Sequence, residues 1–333
     1  MRSTRLGQST VEVTSLGFGA AEIGNLHREV SQTEAAEAVD AAWTAGVRYF
    51  DTAPHYGLGL SERRLGARLV AHPRDAFVVS TKVGRLLEPA EPHGDDLAEG
   101  FAVPADSRRV WNFTAAGVRG SLDASLERLG LDHVDVLLIH DPDDHMEEAL
   151  STGFPALAGL RRERMVRAIG VGTKRADVAA RFVRETDVDV VLVAGRYTLL
   201  EQPALDDLLP LCLERGVSML AAGVFNSGLL AENEVPETAL YEYAKAPSEL
   251  LTRARRLALI CARHNVSLPA AAVTFPLGHP AVASVVVGVH NPDQMRVDAR
   301  LLAQPIPADL WAELREEGLI RADAPVPTEP TGP

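Results

Sequence analysis

Residues 47–82 decide the fold class, and their sequence is VRYFDTAPHYGLGLSERRLGARLVAHPRDAFVVSTK. Two apolar runs, Val47–Asp51 and Phe77–Lys82, have the length of strands and carry apolar side chains on both faces. Between them, Ser61–Ala71 has the apolar spacing of an amphipathic helix. A helix that joins two such strands is typical of a parallel sheet with both faces covered.

The same strand–helix unit recurs along the whole chain. The predicted strands are Thr14–Ala20, Val47–Asp51, Phe77–Lys82, Val134–His140, Val166–Val171, Val188–Val193, Val217–Ala221 and Val282–Val287. The predicted helices are Gln32–Ala45, Ser61–Ala71, Thr114–Leu129, His145–Arg164, Arg175–Glu185, Pro203–Arg215, Pro247–His264 and Pro292–Leu302. Strict alternation implies right-handed crossovers and a parallel sheet. Eight such units favour an α/β fold of the closed (β/α)8 TIM barrel type over an open sheet.

Four segments depart from this rhythm. Arg2–Val13 is predicted to form a short N-terminal hairpin that plugs the bottom of the barrel. Long loops follow strand three, Gly84–Asn112, and strand seven, Gly223–Ala246, on the face where barrel enzymes bind their substrates. The proline-rich tail, residues 321–333, is expected to be disordered, which leaves residues 1–320 as a single barrel domain.

Composition argues against two kinds of partner. The chain has 33 basic and 46 acidic residues, a formal net charge of −13, so we expect no nucleic-acid partner and no membrane partner. Three of the basic residues are lysines: Lys82, Lys174 and Lys245. Cys212 and Cys261 lie in predicted helices without metal-ligand spacing, so we expect free thiols, no metal site and a cytoplasmic location. The first residues lack the apolar core of a signal peptide, and no apolar run is long enough to span a membrane.

Charged and polar side chains end three neighbouring predicted strands. Asp51 ends strand two, Lys82 ends strand three, His140 ends strand four, and Tyr56 follows Asp51 by five residues. Because neighbouring strands lie about 4.8 Å apart, we expect the four side chains to converge. Asp51 would pair with the ammonium of Lys82, which would in turn lower the pKa of Tyr56. A tyrosine tuned in this way is a general acid or base, so the set favours proton transfer coupled to hydride transfer.

In these residues the chain resembles the aldo-keto reductase superfamily. The matching motifs are Asp-Thr-Ala-x-x-Tyr-Gly at residues 51–57, Thr-Lys at 81–82 and Ile-His at 139–140. The resemblance extends from about residue 16 to residue 298, in the order and spacing of the family. It implies a barrel that binds NADH or NADPH at its mouth without a separate Rossmann domain.

The resemblance also implies catalytic roles for the four residues. Tyr56 would be the proton donor or acceptor, Lys82 and Asp51 would tune it, and His140 would orient the substrate carbonyl. The segments 192–202, 225–230 and 279–285 resemble the branch that contains L-fucose dehydrogenase, D-threo-aldose 1-dehydrogenase and pyridoxal 4-dehydrogenase.

That branch implies oxidation of an aldose, or a similar cyclic hemiacetal, to its lactone by an NAD(P)-dependent oxidoreductase. One alternative is the reduction of aldehydes or ketones with NAD(P)H. A second is a regulatory barrel that binds a nucleotide without turnover. The sequence leaves the choice of sugar, the direction of reaction and the oligomeric state open.

Cofactor contacts are also expected from the resemblance. The residues assigned to cofactor binding are Gly19, Ala21, Thr173, Lys174, Gly223, Phe225, Asn226, Ser227, Gly288, His290, Gln294 and Asp298. NADP-preferring relatives place cations for the 2′-phosphate at the positions of Gly288 and Gln294, which leaves His290 as the nearby candidate. We therefore expect either NAD or NADP to bind, with a preference for NAD.

Three residues near the site have two interpretations each. Lys174 stands where the branch usually has Asn, and it either contacts the cofactor or is simply solvated at the start of a helix. His55 precedes Tyr56 and either lines the substrate pocket or belongs to the loop alone. Trp111 is either a platform for the substrate or an anchor for the long loop.

Overall fold

Eight parallel strands close into a barrel in chain order, as predicted. The computed structural model describes residues 1–92, 94–242 and 244–328. The barrel strands are β1 (Leu16–Gly19), β2 (Tyr49–Asp51), β3 (Val78–Val83), β4 (Val136–His140), β5 (Ala168–Thr173), β6 (Val190–Ala194), β7 (Ser218–Ala222) and β8 (Val282–Gly288). All eight coincide with predicted strands, and β8 pairs with β1 to complete the ring.

Two apolar layers explain why these strands are apolar on both faces. In β4, Leu137 and Ile139 belong to the cluster shared with the surrounding helices. Val136 and Leu138 alternate with them and belong to the smaller cluster inside the barrel. This alternation leaves no solvent-facing position in the strand, which is typical of a barrel stave.

The N-terminal hairpin closes the bottom of the barrel, as predicted. Its strands, Ser3–Arg5 and Glu12–Thr14, pair antiparallel. Leu6, Val11 and Val13 are fully buried and belong to the interior cluster of the barrel. The N-terminal end of the barrel is therefore filled with hydrocarbon, and the site must lie at the other end.

The helices are α1 (Gln32–Thr44), α2 (Leu60–Leu69), α3 (Ala115–Leu129), α4 (Phe154–Arg162), α5 (Ala176–Glu185), α6 (Leu208–Arg215), α7 (Ser248–Arg263), α8 (Leu268–Thr274), α9 (Pro292–Ala303) and α10 (Ala308–Glu316). The predicted helix His145–Arg164 is interrupted, because a π-helical stretch, Ala149–Gly153, precedes α4.

Helices α8 and α10 were not predicted. Every residue of α8 is buried, so it lacks the amphipathic spacing used for the other helices. In α10, Leu310, Trp311 and Leu314 are buried, a spacing that could have revealed it. Among the described residues, no helix is both long and apolar enough to cross a membrane.

The long connection after β3 is folded rather than irregular, which corrects the prediction of a loop over 84–112. Arg85–Pro89 pairs antiparallel with Ser107–Trp111. A smaller hairpin, formed by Asp95–Asp96 and Phe101–Pro104, lies between them. We call residues 85–111 the β3 insertion. It packs Phe101 against the loop that carries Tyr56.

Part of the expected disordered tail is ordered. Ala324 is buried, and its carbonyl accepts a hydrogen bond from Arg315 at 2.7 Å. The carbonyl of Pro325 accepts one from the hydroxyl of Tyr197 at 3.4 Å. The prediction of disorder from residue 321 is therefore wrong for 321–328, because these residues pack on the barrel, and 329–333 lie outside the described residues.

Candidate active site

The structure brings Asp51, Tyr56, Lys82 and His140 together at the C-terminal end of the barrel. Asp51 and His140 are the last residues of β2 and β4, and Lys82 lies near the end of β3. The ammonium of Lys82 donates three hydrogen bonds: to Asp51 Oδ2 at 2.7 Å, to the carbonyl of Thr52 at 2.9 Å and to Tyr56 Oη at 3.2 Å. Lys82 is 1% exposed, so all three donors of this cation are satisfied inside the protein.

Asp51 accepts a second hydrogen bond from a residue deeper in the barrel. Ser80 donates its hydroxyl proton to Asp51 Oδ1 at 2.6 Å. The hydroxyl of Tyr49 lies 2.9 Å from Ser80 Oγ, and since the proton of Ser80 points to Asp51, Tyr49 is the donor. The chain Tyr49–Ser80–Asp51–Lys82–Tyr56 is thus continuous from the barrel interior to the mouth. Sequence analysis missed Ser80 and Tyr49.

Burial acts on the pKa of both Lys82 and Tyr56, but it determines the direction of the change only for Tyr56. It disfavours the ammonium of Lys82, but Asp51 and Tyr56 outweigh this effect and raise the pKa of Lys82 above its ordinary value. Burial also raises the pKa of Tyr56 to about 12, although Lys82 acts to lower it. Lys82 lowers the pKa of Tyr56, as predicted, but desolvation of the phenolate is the larger effect, so the resulting pKa is above the ordinary value.

His140 is neutral in this environment. Burial lowers its pKa well below the ordinary value, and the positive charges of Arg85 and Lys82 act in the same direction. Its Nε2 lies 3.6 Å from Asp141 Oδ2, and Arg85 pairs with the same oxygen at 2.9 Å. A neutral imidazole offers one donor and one acceptor, which suits the orientation of a substrate oxygen.

Trp111 ends the β3 insertion at the rim of the barrel. The guanidinium of Arg85 lies 4.5 Å from the centre of its ring, and the rings of Phe113 and His145 pack on it at 5.8 and 4.5 Å. Its side chain is 39% exposed. Trp111 therefore anchors the insertion and still presents apolar surface at the rim.

His55 contacts Tyr56, His140 and the β3 insertion. Its ring centre lies 5.5 Å from that of His140 and 5.2 Å from that of Phe101. Arg109, from the insertion, donates to His55 Nδ1 at 2.5 Å and is itself paired with Asp96 at 2.5 Å. Sequence analysis missed Arg109 and Asp96, and the only signal of them was the length of the connection after β3.

One protein family matches most of the chain. The model of the aldo/keto reductase family matches residues 15–317. The chain belongs to the aldo/keto reductase family. It is an NAD(P)-dependent oxidoreductase, as predicted.

Individual aldo/keto reductases confirm the predicted branch. The chain is 54% identical to D-threo-aldose 1-dehydrogenase of Pseudomonas sp, over 92% of this chain and 95% of that protein. It is 40% identical to pyridoxal 4-dehydrogenase of Microbacterium luteolum, over 95% of this chain and 97% of that protein. Among solved structures, it resembles the holo form of an aldo-keto reductase from Bacillus halodurans, with a TM-score of 0.74, 24% identity and 99% of each chain covered. It also resembles the glycerol dehydrogenase of Gluconobacter oxydans, with a TM-score of 0.77, 19% identity and 98% of each chain covered. These two likenesses support the barrel fold.

The residues that family resemblance assigns to the cofactor lie around the rim of the barrel. Three of them end strands: Gly19 ends β1, Thr173 ends β5 and Gly288 ends β8. The others follow β1 (Ala21), β5 (Lys174), β7 (Gly223, Phe225, Asn226, Ser227) and β8 (His290), or lie in α9 (Gln294, Asp298). Gly19 and Gly288 face each other in register. Lys174 is exposed, and its charge helps to lower the pKa of His55 and of His140, after burial and nearer cations. It therefore belongs to the same face as the catalytic residues.

A dinucleotide is compatible with the polar groups of this rim. Asn226 is buried, and among the described residues its Oδ1 has no hydrogen-bond partner, so an acceptor is available for a ribose hydroxyl or a carboxamide. Asn226 and Ser227 have φ of 47° and 58°, and the N–H of Asn226 donates to the carbonyl of Gly223 at 3.0 Å within this turn. Gln294 instead accepts a hydrogen bond from the backbone of His290 at 2.8 Å, which turns its side chain back onto its own helix.

One acidic residue of this rim was not predicted. A Cβ atom added at Gly288 would lie 2.0 Å from the carboxylate of Glu22, so Glu22 occupies the space that a side chain at position 288 would need. Burial raises the pKa of Glu22 to about 7. Among the described residues, no cation pairs with this carboxylate.

Proposed function

We propose that this aldo/keto reductase oxidises an aldose, or a similar cyclic hemiacetal, to its lactone with NAD(P)⁺. The observation that carries the proposal is the buried ammonium of Lys82, which joins Asp51 to the phenol of Tyr56 at the mouth of the barrel. The relatives named above act on an aldose and on pyridoxal, as their names state.

The roles of the four residues follow from their contacts. The oxidised nicotinamide, when bound, would supply a hydride acceptor. Lys82 stabilises the phenolate of Tyr56 through the hydrogen bond of 3.2 Å, and this phenolate takes the proton of the anomeric hydroxyl and becomes a neutral phenol. Asp51 keeps Lys82 charged, and neutral His140 holds the reacting oxygen in place.

Reduction of an aldehyde or ketone is the second candidate, and one observation favours it. Burial raises the pKa of Tyr56 to about 12, so it favours the protonated phenol over the phenolate. A protonated tyrosine is ready to donate to the oxygen of a carbonyl group, so this state suits the reductive direction.

We propose that the cofactor is NAD rather than NADP. Glycine at position 288 carries no cation, and the carboxylate of Glu22 fills the space above it. A 2′-phosphate placed there would meet a negative charge, whereas a ribose hydroxyl could donate to it. Dissociation constants for both cofactors test this proposal, and tighter binding of NADP would overturn it.

The experiment for the reaction is turnover with a panel of aldoses and with both cofactors. Wild-type protein should produce reduced nicotinamide, and Tyr56→Phe should lose this activity while it still binds cofactor. Tyr197→Phe is the matched control, because it removes a hydroxyl that contacts Pro325 rather than Lys82. Equal rates for wild type and Tyr56→Phe would overturn the mechanism. Cofactor binding without turnover of any sugar or carbonyl compound would favour the regulatory barrel.

A cytoplasmic location is part of the proposal. Cys212 and Cys261 are buried free thiols, in helices α6 and α7. Reduced cysteines are typical of a reducing compartment.

A further inference from the structure

The contact between the β3 insertion and the catalytic loop determines the protonation of a second histidine. Arg109 donates from Nε to His55 Nδ1 at 2.5 Å, and from a terminal nitrogen to the backbone carbonyl of His55 at 3.1 Å. Arginine has five N–H donors and no acceptor, so Nδ1 of His55 must be the acceptor and cannot carry a proton. Burial, with the charge of Arg109, lowers the pKa of His55 to about 2, so the ring is neutral at neutral pH. A neutral imidazole with a bare Nδ1 carries its proton on Nε2.

Arg109 is itself fixed in position. Asp96, from the inner hairpin of the insertion, accepts two hydrogen bonds from it, at 2.7 and 2.5 Å. The two side chains are 13% and 7% exposed, and such a two-point pair holds the guanidinium in one orientation. The same guanidinium therefore faces an anion on one side and His55 on the other.

The ring of His55 lies beside the groups that we assign to the reaction. Its centre is 6.2 Å from that of Tyr56 and 5.5 Å from that of His140, at steep interplanar angles. Among the described residues, no acceptor receives a hydrogen bond from Nε2 of His55. This nitrogen also keeps some exposed surface. A fixed N–H donor is thus left at the wall of the pocket, next to the imidazole that holds the reacting oxygen.

From this geometry, and resting on the function proposed above, we propose that Arg109 locks His55 as the Nε2–H tautomer and that His55 donates a hydrogen bond to a hydroxyl on the carbon next to the reacting carbon. Two adjacent imidazoles would then bind two adjacent oxygens of the substrate. The substrate class is narrowed to sugars and hydroxycarbonyl compounds that carry oxygen on both carbons. His55 would act in substrate specificity, and Arg109 would be a positioning residue that acts through it.

The first test compares an aldose with its 2-deoxy analogue. Wild type should prefer the aldose by about tenfold in kcat/KM, the value of one hydrogen bond near 1.4 kcal/mol. His55→Leu should bring the ratio of the two kcat/KM values close to one. His55→Gln should retain part of the preference, because its amide N–H can reach a position near that of Nε2. A wild-type ratio of one, or an unchanged ratio in His55→Leu, would overturn the inference.

The second test reads the tautomer directly and needs no substrate. Long-range ¹⁵N–¹H NMR of histidine-labelled protein should show an imidazole with a protonated Nε2 and a bare Nδ1 whose signal vanishes in His55→Gln, whereas the signal of His279, whose Nδ1 accepts from the N–H of Ala281, should remain. Arg109→Met combined with Asp96→Leu removes the donor without leaving a buried charge, and it should produce mixed tautomers. Asp96→Asn keeps the contact between Arg109 and His55 and should leave the signal unchanged.

The outcomes separate this inference from the proposed function. Failure to turn over any sugar overturns the function, whatever the tautomer. Turnover with an unlocked tautomer, or with equal use of the aldose and its 2-deoxy analogue, overturns only the inference. An identical loss of the preference in Asp96→Asn and in the double variant would show that Arg109 merely anchors the insertion.

Discussion

Asp51→Asn is the most direct test of the buried charge at the centre of the site. The substitution keeps the shape of the side chain and an oxygen that can accept from Lys82, but it removes the negative charge and the second acceptor, which receives the hydroxyl proton of Ser80. Asp51 and Lys82 are 3% and 1% exposed, and their charged atoms are 2.7 Å apart. Removing one partner of such a pair leaves an uncompensated buried cation and costs about 3–5 kcal/mol of stability. For a chain of this size, we expect the melting temperature to fall by roughly 4–7 °C.

The pH dependence of stability gives this prediction its signature. In the wild type the pKa of Lys82 is raised, so its contribution is fully present below the unfolded pKa of about 10.4 and is lost only at higher pH. In Asp51→Asn, burial is no longer opposed by Asp51, so the pKa of Lys82 falls below the unfolded value. The unfolded state then binds the extra proton, and the stability of the variant should rise with pH between 7 and 10, by at most about 1.4 kcal/mol per pH unit.

Urea unfolding at several pH values measures both effects, and the chain offers a matched control. Asp40 makes a two-point pair with Arg68 at 3.0 and 2.7 Å, but the two side chains are 43% and 40% exposed. Asp40→Asn should therefore cost less than about 1 kcal/mol and show no such slope. If Asp51→Asn lost no more stability than Asp40→Asn and showed no pH slope, the assignment of a charged buried pair would be refuted.

The remaining predictions concern the cofactor rim, the helix packing and the support of Asp51. Glu22→Gln should tighten NADP relative to NAD by several-fold at pH 8, where its carboxyl with a pKa of about 7 is ionised, and an unchanged ratio of dissociation constants would contradict this role. Gly66→Ala should destabilise the protein by about 1–3 kcal/mol, since its Cβ would lie 2.0 Å from the carbonyl of Leu129, whereas Gly120→Ala, in open space, should stabilise it by about 0.5–1 kcal/mol. Thermal unfolding checks both, and equal effects would contradict the packing. Ser80→Ala should cost about 1–3 kcal/mol because it leaves the hydroxyl of Tyr49 buried without an acceptor, and adding Tyr49→Phe should recover part of this loss in urea unfolding.

The barrel and its central residues follow from local features of the sequence. A strand such as β4 is apolar at successive positions and ends in a single polar side chain, His140, so both its type and its end are visible without tertiary information. Helix α8 shows the opposite case, because complete burial removes the periodicity that marks a helix at the surface of a barrel. The tail was misjudged for a related reason, since proline content does not reveal that Ala324 is buried against the barrel.

The electrostatics of the site depend on distances between side chains, and the spacing of residues along the sequence does not determine these distances. The sequence places Lys82 near Tyr56, but the sign of the change in the pKa of Tyr56 depends on how far the phenol is buried. Arg109 contacts Asp96 from the inner hairpin and His55 from the turn that carries Tyr56. Both contacts depend on how the insertion folds. The carboxylate of Glu22 likewise lies at the rim because Gly288 has no side chain to occupy that space.

The ends of the β3 insertion meet at one hydrogen bond, from the backbone N–H of Asn112 to the carbonyl of Gly84, at 3.0 Å. A short linker between these two residues would leave the path from β3 to α3 in place. The insertion is therefore a cassette, a segment that can be replaced as a whole. The barrel and the residues proposed to transfer the proton would stay the same. The cassette carries Arg85, Arg109 and Trp111 with it, so one exchange would change their contacts with Asp141, His55 and His145 at once. Chimaeras that swap only this cassette between family members offer a route to new substrate preferences on an unaltered catalytic base.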